Sequence, residues 1–176
     1  MSTTLFLTGQ PHVGKSWAIK KIIDHIGRER CGGFYTEEIC DRGARVGFRL
    51  VTLDGQSGIF AHNKSESVVR LGRYGVNLDC LEAIGLVALN QARKTKLLII
   101  LDEIGPMQAL SRPFQETVLD LLDNHHFLLG TIAIHPHPWL DMVKQHESVE
   151  IFEMTVGNRE YIVDQLIARI YSLLDN

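Results

Sequence analysis

The chain has 176 residues, 45% of them hydrophobic and 22% charged, with a formal net charge of -3. These values suit one globular domain built on one core. The slightly acidic balance argues against a general nucleic-acid binder, which needs a basic face to displace counterions, and no apolar run approaches the roughly 20 residues of a membrane-spanning helix.

The N-terminus, MSTTLFLTGQ, has no basic flank and too short an apolar run for a signal peptide. Residues 5–8 read instead as a short buried strand. Trp17, Ala18, Ile22, Ile23 and Ile26 are then apolar at helical spacing, which predicts an amphipathic helix over 15–26 with Gly27 as its stop. Residues 34–39, 46–53 and 58–61 are short β-prone runs separated by the turn signals Asp41-Arg42-Gly43 and Asp54-Gly55, so an antiparallel meander is expected there. Residues 62–76 are polar and glycine-containing and read as a loop. Asn77 is placed to cap a helix running to about Arg93. Residues 97–101, LLIIL, are continuously apolar, as a central strand covered on both faces must be. Ser111 caps a predicted helix to about Asp123, with Pro113 in its first turn. A strand at 127–134, a short helix at 138–145, a strand at 149–154 and a helix at 159–174 complete the chain. Strands alternating with helices imply parallel pairing through right-handed crossovers, so the fold class is α/β with an antiparallel excursion near residues 33–61.

Residues 9–16, GQPHVGKS, match G-x-x-x-x-G-K-[ST] at every fixed position. The glycines let backbone N–H groups wrap an anion, and the following helix presents its positive end to it. The predicted nucleotide contacts are Gly9, Gln10, Pro11, His12, Val13, Gly14, Lys15, Ser16 and Trp17. Lys15 supplies a compact charge for the β- and γ-phosphates, and Ser16 a hydroxyl ligand for Mg²⁺. His12 stands where many such loops carry another glycine; if that position needs positive φ, histidine tolerates it less well.

Asp102 follows the buried run at the strand's carboxyl end, the edge at which α/β folds bind ligands. It is the natural Mg²⁺ partner of Ser16. Glu103 comes next, where a carboxylate polarises an attacking water. The expected cofactor is Mg²⁺, and the expected partner is a nucleoside triphosphate.

Five stretches together resemble one family: GQPHVGKS; GGFYTEEI with Arg45-Val46-Gly47-Phe48; Gly72-Arg73-Tyr74-Gly75-Val76; DEIGPM followed by Ser111 and Phe114; and Asn158-Arg159. They resemble the cancer-related nucleoside-triphosphatase family over nearly the whole chain. The resemblance implies a RecA-like P-loop core in one domain spanning 1–176. It also implies slow Mg²⁺-dependent hydrolysis of several nucleoside triphosphates, ATP and GTP included. By matching position, Gly9, Gly14, Lys15 and Ser16 bind phosphates and metal, Asp102 serves the metal and Glu103 the water. The chain departs from the family at His12 and at Gln108-Ala109, where the family commonly reads Glu-Leu.

Arg45, Arg73, Arg112 and Arg159 are candidates for transition-state or base contacts, against the ordinary reading of surface arginines. Trp17, Tyr35 and Tyr74 are candidates for stacking on a base, although packing is the commoner use of such rings. The histidines at 125–126 and at 135 and 137 lack the spacing of a zinc site. Cys31, Cys40 and Cys80 form no CxxC pair, as expected of reduced thiols in a cytoplasmic protein. The oligomeric state is open at this level, a monomer included. Hydrolysis is the first functional expectation. A nucleoside or nucleotide kinase, with the meander covering the acceptor, and a nucleotide-dependent switch are the alternatives.

Overall fold

The computed structural model describes residues 2–174. One nine-stranded sheet carries the chain. In chain order its strands are β1 (Thr4–Thr8), β2 (Cys31–Asp41), β3 (Ala44–Thr52), β4 (Ser57–His62), β5 (Arg70–Leu71), β6 (Tyr74–Val76), β7 (Leu98–Ile104), β8 (Leu128–Ile132) and β9 (Val149–Glu153). Their order across the sheet is β5-β6-β4-β3-β2-β7-β8-β1-β9. The five from β2 to β9 pair in parallel. The four from β3 to β5 continue the same sheet in antiparallel fashion. β8 lies between β1 and β7, which is the strand arrangement of a RecA-like core.

The central parallel strands β1, β7 and β8 are buried on both faces because their side chains alternate between two cores. Phe6, Ile99 and Leu101 point into one, together with Phe34, Leu50, Phe60 and Phe114. Leu5, Leu7, Leu98 and Ile100 point into the other. The second core is closed by helices α1 (Lys15–Ile26) and α6 (Arg159–Leu174), which supply Ile19, Ile22, Val163 and Leu166. Each fully buried isoleucine or leucine contributes about 1.5–3 kcal/mol.

The first core is covered by a continuous helical stretch: α2 (Leu78–Cys80), a π-helical segment (Leu81–Leu86) and α3 (Val87–Thr95). Asn77 caps it as predicted, accepting from the Cys80 N–H at 3.0 Å. The π-segment holds Gly85 against the sheet, where a Cβ would stand 3.1 Å from Leu50 and 3.3 Å from Phe34. Helices α4 (Arg112–Asp123) and α5 (Pro138–Lys144) complete this layer. Ser111 caps α4 through the Phe114 N–H at 3.2 Å and donates its own hydroxyl to Glu82 at 2.8 Å, tying α4 to the π-segment. His137 caps α5.

Three features differ from expectation. The stretch 62–76 contains β5 and β6, so the antiparallel region runs on to Val76. The first strand of the meander, β2, is also the outermost strand of the parallel core, pairing with β7 from Cys31 to Tyr35. And β7 continues through Asp102 and Glu103 to Ile104, so both carboxylates sit on strand backbone. Among the described residues, no helix is long and apolar enough to cross a membrane.

β2 is long. Beyond Tyr35, its partner for Asp102, residues 36–41 run on for ~20 Å at a strand's rise per residue, whereas β7 has only two residues left, Glu103 and Ile104. β3 returns alongside it. This hairpin positions side chains from the antiparallel half of the sheet beside the ends of the parallel strands.

Candidate nucleotide site

The phosphate loop joins β1 to α1 at the carboxyl edge of the sheet. Gly9 adopts φ 147° and Gly14 φ 103°, conformations that L side chains rarely take. A Cβ at Gly9 would also collide with the Met154 carbonyl. His12 does occupy the left-handed region, at φ 64°. Lys15 lies across the loop and donates from Nζ to the carbonyls of Gly9 and Gln10, both at 2.8 Å. Burial lowers its pKa, while the charges of Glu103 and Asp102 oppose that shift.

Asp102 is 3% exposed. Thr131 on β8 donates to its Oδ1 at 2.6 Å, and Ser16 at the start of α1 is its other side-chain partner. Thr36 donates to its backbone carbonyl at 3.3 Å. Burial drives the carboxyl pKa up; the hydrogen bonds from Thr131 and Ser16 and the charges of Lys20 and Lys15 pull against it. A buried carboxylate beside a serine hydroxyl is a hard-oxygen donor set. It suits Mg²⁺, which takes one or two protein oxygens and draws its other ligands from phosphates and water.

Glu103 is partly buried. Burial, then the neighbouring charge of Asp102, raises its pKa; Lys15 from the loop and Arg45 from β3 counter that rise. Its carboxylate packs over Gly105, where a Cβ would approach Glu103 Oε1 to 3.0 Å. Gln108, in a short 3₁₀ turn, accepts the Gly105 N–H at 3.1 Å through Oε1. The departure at 108 therefore puts a neutral amide, rather than a further carboxylate, beside Glu103.

The structure gathers Gly9, Gln10, Lys15, Ser16, Asp102 and Glu103 at one edge, with Thr131 as a partner for Asp102. Thr131 carries a signal in the sequence: it is the one polar residue of LLGTI, and a buried hydroxyl needs a partner. The arginines divide. The Arg159 guanidinium lies 5.2 Å from the centroid of the Trp17 ring, and its chain passes beside Gly14. Lys21 lies 4.8 Å from the same centroid, so cations already engage the Trp17 ring. Lys20 likewise lies 4.9 Å from the centroid of Tyr35. Arg45 and Arg73 meet at Tyr74 on the antiparallel side. Arg112 is not brought into this group: its side chain is 88% exposed and pairs with Glu116 one turn along α4. Among the described residues, no cluster of three or more His, Cys, Asp or Glu is arranged to hold a metal.

Known proteins resemble this chain along nearly its whole length. The sequence profile of a family described as NTPase matches residues 4–167. The nucleoside-triphosphatase THEP1 of Thermotoga maritima is 40% identical over 164 residues, covering 93% of each chain. The cancer-related nucleoside-triphosphatase homolog of Mus musculus is 33% identical, covering 98% of each. The crystal structure of THEP1 from Aquifex aeolicus superposes with a TM-score of 0.87 at 31% identity, over 95% of this chain and 98% of that one. The solution structure of a human cancer-related nucleoside triphosphatase gives 0.82 at 30% identity, over 97% and 98%. With the phosphate loop, the Asp102-Glu103 pair and the RecA-like strand order all in place, the chain belongs to the nucleoside-triphosphatase family that includes THEP1 and the cancer-related nucleoside triphosphatases.

Proposed function

We propose that this chain hydrolyses nucleoside triphosphates, ATP and GTP among them, to the diphosphate and phosphate with Mg²⁺, slowly and with loose base selectivity. The observation that carries this reading is Glu103: a carboxylate one residue beyond the metal aspartate, on strand backbone, within the field of Lys15.

The loop amides and the positive end of α1 bind the phosphates. Lys15 exchanges the Gly9 and Gln10 carbonyls for β- and γ-phosphate oxygens. Ser16 and Asp102 would hold Mg²⁺, which supplies charge neutralisation on the phosphates when bound. Glu103 orients a water and takes its proton. Slow turnover is in keeping with the engagement of the nearby arginines: Arg45 is held by Glu38 and Tyr74, and Arg159 by Trp17. Loose base selectivity is in keeping with Trp17 and Tyr35 carrying cations instead of an open stacking face. The three cysteines are free thiols, which supports a cytoplasmic location.

The test is Glu103→Gln. Phosphate release should fall roughly 10²–10⁴-fold, the usual worth of a general base, with triphosphate binding retained. Unchanged release would remove Glu103 from the mechanism.

A further inference from the structure

Hydrolysis leaves one preorganised group of side chains without a task. Tyr74 is 7% exposed, and its hydroxyl accepts from Arg73 at 2.8 Å and from Arg45 Nε at 3.2 Å. Arg73 donates in addition to the Arg45 carbonyl at 2.6 Å. The Arg45 guanidinium lies 5.0 Å from the centroid of the Phe48 ring, and Phe48 meets Tyr74 edge to face at 5.5 Å. Arg45 also pairs with Glu38 at 3.0 Å. Arg73 has no carboxylate within ion-pair distance among the described residues; two neutral oxygens fix its geometry, and its guanidinium lies 5.0 Å from the centroid of the Tyr74 ring.

Two guanidinium forks are ordered in advance on strand and turn backbone, beside a phenol that already accepts twice and has its own proton left to donate. Guanidinium forks match the oxygens of a phosphate. Their charge reaches the reaction centre, since Arg45 is one of two cations, with Lys15, that oppose the upward pull on Glu103. The strand register brings this group to the same edge: Tyr35 of β2 stands opposite Asp102, and Arg45 is paired with Glu38 three residues further along β2.

We propose that Arg45, Arg73 and Tyr74 form a second anion site that takes the phosphomonoester group of a hydroxyl-bearing acceptor while the loop holds the triphosphate. The inference rests on the nucleotide reading of the loop given above. The acceptor hydroxyl then lies at Glu103 in place of water. Its oxygen bonds to the γ-phosphorus as the bond to the β,γ-bridging oxygen breaks. The nucleoside diphosphate leaves with that electron pair, and the hydroxyl proton passes to the Glu103 carboxylate.

The experiment follows label from γ-labelled triphosphate with Mg²⁺ and the full chain. Nucleoside 5′-monophosphates and sugar phosphates are supplied in turn, each beside its dephosphorylated counterpart, and label is counted in free phosphate and in acceptor. The expected result is label on at least one phosphomonoester, and at least tenfold less on its dephosphorylated counterpart. In Arg73→Gln the ratio of transferred to released label falls at least tenfold; Arg73→Lys, which keeps charge but loses the fork, falls between. A folding defect would lower both products and leave the ratio alone, so the ratio separates a binding role from a structural one. Label confined to free phosphate with every phosphomonoester, or an undiminished ratio in Arg73→Gln, overturns the proposal. If release and transfer both survive Lys15→Ala, the nucleotide reading itself fails and takes this inference with it.

Discussion

Thr131 on β8 donates its hydroxyl to Asp102 on the neighbouring strand β7 at 2.6 Å, both side chains being buried. This bond fixes which way the carboxylate faces and leaves its remaining lone pairs toward Ser16. Thr131→Val keeps the shape and deletes the donor. Turnover should fall about 10–100-fold, the usual effect of removing a partner behind a metal-binding carboxylate. The Mg²⁺ concentration giving half-maximal rate should rise as well, and Thr131→Ser should restore most of both. A magnesium titration of the three proteins checks this; a Thr131→Val curve matching that of the parent would contradict it.

Glu103 predicts a pH profile. Its folded pKa lies above the ordinary glutamate range, through burial first and the Asp102 charge second. A base must be ionised, so kcat/KM should climb with pH through that raised value and level off above it, while Glu103→Gln should be flat there. Stability has the opposite sign. The folded state favours protonated Glu103, so its stabilising contribution is complete below the unfolded pKa and declines as pH rises toward the folded one. Nucleotide-free Glu103→Gln should therefore be more stable than the parent at neutral pH, measured by urea unfolding.

His12 at φ 64° predicts an order among substitutions. His12→Val places a β-branched residue where such residues are outliers and should cost about 1–3 kcal/mol of unfolding free energy. His12→Gly should cost nothing or stabilise, because glycine takes the left-handed region freely. Urea midpoints that reverse this order would show that the imidazole makes a compensating contact.

The cysteines predict a labelling pattern. Burial, with the Glu29 charge adding to it, pushes the Cys31 thiol up to about 11, against Arg30, Lys96 and Arg28. Burial also raises Cys80. Cys40 is exposed on the projecting part of β2. Iodoacetamide at pH 8 should modify Cys40 alone on the folded protein, seen as one adduct per chain by mass spectrometry. Rapid labelling of Cys31 would contradict its burial.

Much of this was legible because it rests on local pattern. GQPHVGKS announces its own geometry, and the run LLIIL ends at the carboxylates that must face it. Asn77 and Ser111 cap the helices they precede. What escaped local reading depends on distant pairing. β5 and β6 have two and three residues, too few to show alternation, and exist because β4 offers them an edge. The π-segment depends on Gly85 fitting against Leu50 and Phe34, which lie far away in sequence. Arg45 and Arg73 are separate surface arginines in the sequence and become one group only when β3 and the β5–β6 turn meet at Tyr74. Arg112 is the converse case, since Glu116 at i+4 already offers it a partner on its own helix.

On the proposed reading of the site, the two bonds from Lys15 to Gly9 and Gln10 make nucleotide capture an exchange reaction. The ammonium surrenders two carbonyl oxygens when phosphate arrives and recovers them when phosphate leaves. Only the difference between the two sets of oxygens enters the affinity, so the full attraction of a lysine for a polyphosphate is never realised as binding. The same exchange works in favour of departure. A diphosphate product, lacking the γ-group, competes with an intramolecular rival that needs no diffusion and is always at hand. The loop is thus built to let go, and in an enzyme that must reset after each cycle this resting position of one side chain serves as the return stroke.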